Sequence, residues 1–210
     1  MTEKKKFSRD KESKIRAIIN ATIELINEKG PASFSVNEIP ERAGLSIGTV
    51  YRYFPRGKDD IIAEILRKNI VGFIKLIEDS TKDATSIDEA WTKIIKAYVG
   101  LKREYLSIDA FLVEAAPRGS ELFNELAPVV MDFYGALNRI LSRFDSFGEL
   151  TEEQIVIRLG LSFSMMRTVV RGHSVFPVFE SDEELLGYLL RVVQATFDPS
   201  SCARAHGVST

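Results

Sequence analysis

Apolar residues recur at helical spacing along almost the whole chain. Ile15, Ile18, Ile19, Thr22, Ile23, Leu25 and Ile26 form one stripe, with Lys14, Asn20, Glu24 and Asn27 off it, and Gly30-Pro31 stops that helix. A second helix is predicted to open at Ser35, where Ser35 and Glu38 make a capping box and Phe34 with Ile39 a hydrophobic staple. It ends at Ala43-Gly44. A third opens on the N-cap Ser46, with Leu45 and Val50 as its staple, and Pro55-Arg56-Gly57 closes it after two turns. A long helix over residues 58–79 follows, carrying Ile62, Ile65, Leu66, Ile70, Phe73, Ile74 and Ile77 on one face.

Three more helices are announced by boxes: Ser86 with Glu89, Thr151 with Gln154, and Ser181 with Glu184. Between the first and second of these, Pro117-Arg118-Gly119 separates a helix near 104–116 from one near 120–147, which Pro128 should interrupt or kink. No convincing alternation of apolar and polar residues marks a strand, and the run Val175 to Phe179 is short and broken by Pro177. The expected fold is all-α, with about nine helices and no repeats. Residues 1–8 and 199–210 are expected to be disordered tails.

Composition narrows the class. The 210 residues are 45% apolar with a net charge of −2, which is ordinary for a globular chain and unlike a disordered or fibrous one. No apolar run approaches the ~18 residues of a membrane span. The charged N-terminus has no apolar core of a signal peptide, so a cytoplasmic location without membrane contact is expected. The single cysteine, Cys202, cannot form an internal disulfide, and no Cys/His cluster offers a metal site. Charge is unevenly spread: through Lys58 the chain carries 12 Lys/Arg against 7 Asp/Glu, a net +5, and the remainder is −7. A basic head on an acidic body suits a polyanion-binding module joined to a different domain, although a solvated Lys4–Lys6 tail supplies much of the excess.

Spacing within residues 35–54 is that of a helix-turn-helix. Gly44 permits the tight turn, while Ile39, Ala43, Leu45, Val50 and Phe54 point inward to clamp two helices. Ile47, Gly48, Thr49, Tyr51, Arg52 and Tyr53 are left outside, on a helix slim enough for a major groove about 12 Å wide. Gly48 lets backbone approach DNA, Thr49 offers hydroxyl and methyl, and Arg52 can reach a guanine edge or a phosphate. The same spacing also fits a plain αα-hairpin whose tyrosines pack on the body.

Ser33-Phe34-Ser35-Val36, followed by Ala43-Gly44-Leu45-Ser46-Ile47-Gly48-Thr49-Val50-Tyr51-Arg52-Tyr53-Phe54, resembles the N-terminal signature of the TetR/AcrR family of transcriptional regulators. The likeness covers about residues 14–66. It implies a homodimer on a palindromic double-stranded operator, transcription blocked, and release when a small molecule enters the C-terminal domain. It also implies a DNA-binding head over 9–57 and a helical ligand-binding and dimerisation body over 58–198. Carried over, the DNA contacts fall on Ser35, Asn37, Ser46, Ile47, Gly48, Thr49, Tyr51, Arg52 and Tyr53, with Lys58 opening the fourth helix.

Two features depart from that pattern. Three residues, Pro55 to Gly57, precede Lys58 where the family usually has two, so either Lys58 keeps its role or Arg56 takes the phosphate. Pro40 lies one turn inside the second helix, where it removes a backbone donor.

In the body, the helices over 151–173 and 181–197 are apolar nearly all round, which requires cover on both sides. Ile155, Leu159, Met166, Val170, Leu186, Leu189, Leu190 and Val193 are the expected dimer contacts, in a two-fold four-helix interface where the resemblance also places it. Trp91, Tyr98, Phe111, Tyr134, Phe163 and Met166 are candidate linings for a lipophilic or aromatic effector, although plain core packing explains each one singly. Arg103, Arg118, Arg167 and Arg171 are candidates for an acidic ligand group, or ordinary surface charges.

Catalysis finds no support. His173 and His206 are isolated, the acidic pairs sit in helix first turns, and neither a phosphate loop nor a nucleophile elbow is present. No enzyme activity and no cofactor are expected. Two readings remain beside the ligand-released repressor: a corepressor-dependent or activating regulator of the same fold, and an all-α ligand carrier whose head no longer binds DNA.

Overall fold

A computed structural model describes the backbone at residues 3–30, 33–114, 119–144, 147–148 and 150–197, and the side chains at 10–30, 33–100, 119–144, 147–148 and 150–197. Among these residues are α1 (Glu3–Lys29), a 3-10 turn (Val36–Glu38), α2 (Ile39–Ala43), α3 (Ile47–Tyr53), α4 (Lys58–Thr81) and α5 (Ile87–Glu114). Then come α6 (Glu121–Leu141), a second 3-10 turn (Ser142–Phe144), α7 (Glu152–Val175) and α8 (Asp182–Phe197). The chain divides into two compact units, Met1–Ile70 with Tyr105–Val129 and Val71–Glu104 with Val130–Thr210. The helix-turn-helix segment lies in the first of these units.

Several local expectations shift for identifiable reasons. Among the described residues, eight α-helices stand where about nine were expected, because the segments near Ser86 and residue 104 join as α5, with Gly100 inside it and no proline to break it. α1 reaches back to Glu3, into the segment expected to be a free tail. That stretch is rich in Lys and Glu, good helix formers, and contains neither Gly nor Pro. Residues 1–2 and 199–210 lie outside the described residues. α6 runs unbroken through Pro128, which is exposed along with Asn124 one turn earlier, so water can satisfy the carbonyl that the proline leaves without a donor.

Pro40 moves a helix start. A 3-10 turn occupies 36–38, with the Ile39 amide donating to the Val36 carbonyl, and Pro40 falls in the first turn of α2, where no amide is needed. The Ser35–Glu38 box therefore caps the 3-10 turn rather than α2 itself. The box at Thr151–Gln154 forms reciprocally on α7. At Ser86 and Ser181 the hydroxyl caps as expected, at 3.2 Å in each case. The returning carboxylates of Glu89 and Glu184 instead accept from the backbone one residue earlier, at Thr85 and Glu180.

The predicted α1 stripe is the centre of the head core. Ile18, Leu25 and Ile26 pack with Ile39, Val50, Phe54, Ile61, Ile62, Ile65 and Leu66, and α6 adds Leu122 and Leu126. Each such side chain contributes roughly 1.5–3 kcal/mol on burial, an upper range because the unfolded chain is partly collapsed. In the second unit α7 packs on α8, and Arg143 donates 2.9 Å hydrogen bonds to the Thr81 and Ile140 carbonyls at the ends of α4 and α6. No helix among the described residues is long and apolar enough to cross a membrane.

Gly44 closes α2 at φ +65°, with the Leu45 amide donating to the Pro40 carbonyl at 2.9 Å. A methyl group there meets no atom within 4 Å, so its cost is conformational alone. Gly44→Ala is expected to lower stability by about 1 kcal/mol, read as a shift in the urea midpoint at constant slope.

Candidate nucleic-acid interface

α3 has only seven residues, too few to persist alone, so its position is set by what it buries. Val50 is fully buried and Phe54 nearly so, both in the head core, with Leu45 and Tyr53 packed against it. The N-terminus is capped by Ser46, whose Oγ accepts from the Thr49 amide at 3.2 Å and lies 2.9 Å from Thr49 Oγ1. Anchoring one face turns the opposite face outward. Ile47 and Tyr51 are 41% and 43% exposed, high for large apolar and aromatic side chains. Gly48 and Arg52 are exposed beside them, as are Ser35, Asn37 and Ser46, while Thr49 and Tyr53 are half-buried. The Arg52 guanidinium lies 6.0 Å from the Tyr53 ring centre.

The three-residue turn is accommodated by Gly57. It is buried at φ +65°, its amide donates to the Phe54 carbonyl at 2.8 Å, and a Cβ there would lie 3.4 Å from the Tyr51 ring and 3.5 Å from Val36. Tyr51 is thereby supported from beneath while its other edge stays in solvent. α2 is braced by Arg42, whose guanidinium pairs with Glu28 (2.8 Å) and lies near Glu24, both on α1. Lys29 pairs with Glu38, and this bond, with the Ser35 amide, holds the Glu38 carboxyl below its ordinary range.

The structure separates the two candidate phosphate contacts. The Arg56 guanidinium is shared among Asp60 (2.6 Å), Glu121 (3.1 Å) and Glu125. The hydrogen bonds it donates to Glu125 and Asp60 push its pKa further up. Arg67 reaches the same Glu125 at 2.9 Å. A phosphate at Arg56 would have to displace carboxylates. The half-buried Lys58 donates to the Phe34 carbonyl at 3.2 Å and lies 4.2 Å from the Phe34 ring centre, and burial lowers its pKa.

In the second unit, three of the six candidate pocket residues come together. Tyr98 meets Phe163 edge-on at 5.7 Å, Phe163 meets Phe133 at 4.9 Å, and Phe133 meets Tyr134 at 5.4 Å and Phe73 at 5.7 Å. Burial raises the pKa of both tyrosines, with the Arg167 charge opposing. Trp91 belongs to a different cluster, 5.8 Å from Phe197, which in turn lies 5.1 Å from Phe147. Met166 is fully buried, and the Phe111 side chain lies outside the described residues.

The expected dimer residues fall mostly inside one chain. Ile155, Leu159, Met166, Val170, Leu189 and Val193 are buried, and Leu186 and Leu190 half-buried, because α7 and α8 turn those faces to their own unit. Among the described residues of α7, α8 and the segment between them, the large apolar side chains left in solvent are Ile157, Leu161, Met165 and Val175 along α7, Phe176 and Val178 after it, and Tyr188 on α8. Among the described residues no His, Cys, Asp or Glu group has the makings of a metal site.

Residues 18–65 match the family model described as bacterial regulatory proteins, tetR family. The chain carries that family's N-terminal signature in its head. It is similar to the fatty acid metabolism regulator protein of Bacillus subtilis (strain 168), at 26% identity over 166 residues, 78% of this chain and 81% of that protein. The HTH-type transcriptional repressor KstR of Mycolicibacterium smegmatis is 25% identical over 140 residues, 66% of each chain. The fold is also that of the transcriptional regulator FadR from Bacillus subtilis, solved in complex with stearoyl-CoA. That likeness has a TM-score of 0.68 and 21% identity, covering 87% of this chain and 97% of the other.

Sequence reasoning missed Phe73 as a partner of the tyrosines, and the acidic partners of Arg56. The φ of Gly57 was signalled by Pro-Arg-Gly; the Arg56 partners on α6, 65 and 69 residues away, had no local signal. Arg56→Ala is expected to lower the urea midpoint, because Asp60, Glu121 and Glu125 then face one another with one counter-charge fewer. The loss should shrink between 0.05 and 1 M salt (about the range over which screening becomes complete at these distances), and a salt-independent loss would contradict the electrostatic account.

Proposed function

We propose that this protein is a TetR-family repressor that binds a palindromic operator as a homodimer and leaves it when a lipophilic, long-chain acyl ligand enters the second unit. The observation that carries the reading is the outward face of α3, where Ile47, Gly48, Tyr51 and Arg52 stand in solvent while Val50 and Phe54 lock the helix from behind. Two recognition helices must sit about 34–36 Å apart to read successive major grooves, so the reading requires two chains. The exposed stripe Ile157, Leu161, Met165 supports a second copy on α7, in place of the buried residues first expected there.

Support for the acyl class comes from the relatives named for fatty acids, one of them holding stearoyl-CoA, together with the aromatic cluster around Phe163. The ligand acts by population shift: binding the low-affinity form better than the DNA-bound form is the only way it can release the operator. α4 is the proposed transmitter, since it begins next to the α3 turn and runs without a break to Thr81.

Genomic fragments selected by the purified protein, then footprinted across a salt series, test the first half. A protected palindrome with affinity falling steeply as salt rises is the expected outcome; equal, weak binding to all fragments overturns it. Tyr51→Ala and Thr49→Ala should each weaken operator binding about 5- to 150-fold, as for loss of one contact of roughly 1–3 kcal/mol, without changing the thermal midpoint appreciably. Gly48→Ala, whose new methyl would have only Ser46 Oγ near it at 3.9 Å, should weaken operator binding while the fold is retained. Leu161→Glu should convert dimer to monomer in light scattering at micromolar concentration and abolish footprinting.

A further inference from the structure

We infer that Arg167, with the phenol of Tyr134 and beside that of Tyr98, forms the seat for the anionic group of the effector, whose chain lies along the rings of Phe73, Phe133 and Phe163. The inference rests on the acyl-ligand reading above and names the chemistry at one end of that ligand.

Four arginines were candidates for an acidic group. Arg103 and Arg118 lie outside the residues with described side chains, and Arg171 is exposed and already engaged. Arg167 is half-buried, and among the described residues no carboxylate lies within ion-pair distance of it. A guanidinium partly withdrawn from water without a counter-charge is a destabilising arrangement that an anionic ligand would relieve.

Helix geometry brings the three groups to one place. Gly160, Phe163 and Arg167 fall at i, i+3 and i+7 on α7 and so share a face. A Cβ at Gly160 would lie 3.7 Å from the Tyr134 hydroxyl, so that phenol rests against α7 where a larger residue would push it away. The Tyr98 ring stands edge-on to Phe163, 5.7 Å away. Long helical side chains lean toward the helix N-terminus, which directs the Arg167 guanidinium back from its own Cα toward Phe163 and the phenols. The Arg167 charge is felt at both tyrosines, and burial keeps both phenols protonated, as hydrogen-bond donors, throughout the physiological range. The Arg167 guanidinium and the Tyr134 phenol, donors with no carboxylate partner among the described residues, stand beside the packed rings of Phe73, Phe133 and Phe163 and match an amphipathic anion: a polar end that accepts hydrogen bonds and an apolar remainder.

Calorimetric titration of the dimeric protein with tetradecanoate, tetradecanoyl-CoA and the uncharged tetradecanol tests this, below the micellar concentration of each. Wild type should prefer an anionic ligand over the alcohol. If tetradecanoate binds as tightly as the thioester, the seat takes a carboxylate; if only the thioester binds tightly, it takes a CoA phosphate. Arg167→Met should weaken the preferred anionic ligand about 10- to 100-fold and leave tetradecanol nearly unchanged, with Arg167→Lys intermediate. Tyr134→Phe, which removes one hydroxyl and keeps the ring, should cost about 3- to 10-fold and carries the test should Arg167→Met unfold. Undiminished binding of the anion by Arg167→Met, or a wild-type preference for the alcohol, overturns the assignment. Failure of wild type to bind any of the three overturns the acyl-effector reading itself, a different result from a bound anion indifferent to Arg167.

Discussion

Everything at the head depends on burying Val50 and Phe54. Seven residues of α3 hold too few internal hydrogen bonds to offset helix nucleation, so the helix exists because these side chains are inserted among Ile18, Ile39 and Ile62. That insertion also fixes rotation about the helix axis. With Val50 inward, Ile47, Gly48 and Tyr51 have no place but the surface. Gly44 at one end and Gly57 at the other supply the backbone turns that an L side chain resists, so both turns serve the same two buried residues.

Charge is organised around that geometry. Arg42, Lys29 and Arg56 are each occupied by carboxylates of the head unit, which leaves Arg52 on the exposed α3 face beside Tyr53. The net +5 of the N-terminal segment therefore overstates the charge at the exposed α3 face. Ion pairs at this level of exposure add little stability one by one. Their consequence is placement: Glu125 takes both Arg56 and Arg67, tying the turn before α4, α4 itself and the start of α6 into one set of charges.

The second unit shows the opposite economy, with aromatic rings packed on one another and few polar groups among them. Phe163 is its centre, touching Tyr98 on one side and Phe133 on the other. Around it, polar atoms carry unusual weight because the medium is poor in water. That is why the half-buried Arg167 and the phenols of Tyr98 and Tyr134 are informative, whereas the same residues on a wet surface would not be.

Local chemistry was legible in the sequence. The boxes at Ser35–Glu38 and Thr151–Gln154, the cap at Ser46, the α1 stripe and the inward set Ile39, Leu45, Val50 and Phe54 all depend on neighbours within a few residues, and such patterns survive in one dimension. The identity of the head followed from them. What needed the tertiary structure was every choice between equivalent faces or distant partners. α7 is apolar nearly all round, so periodicity could not say that Leu159 and Met166 face inward while Ile157 and Leu161 face water; the packing of α8 decided that. Nor could spacing say that Arg56 would be taken by Glu121 and Glu125, or that Phe73 and Phe133 would join Phe163. A helix dictates which residues share its face, and only the neighbours that cover it determine which face is buried.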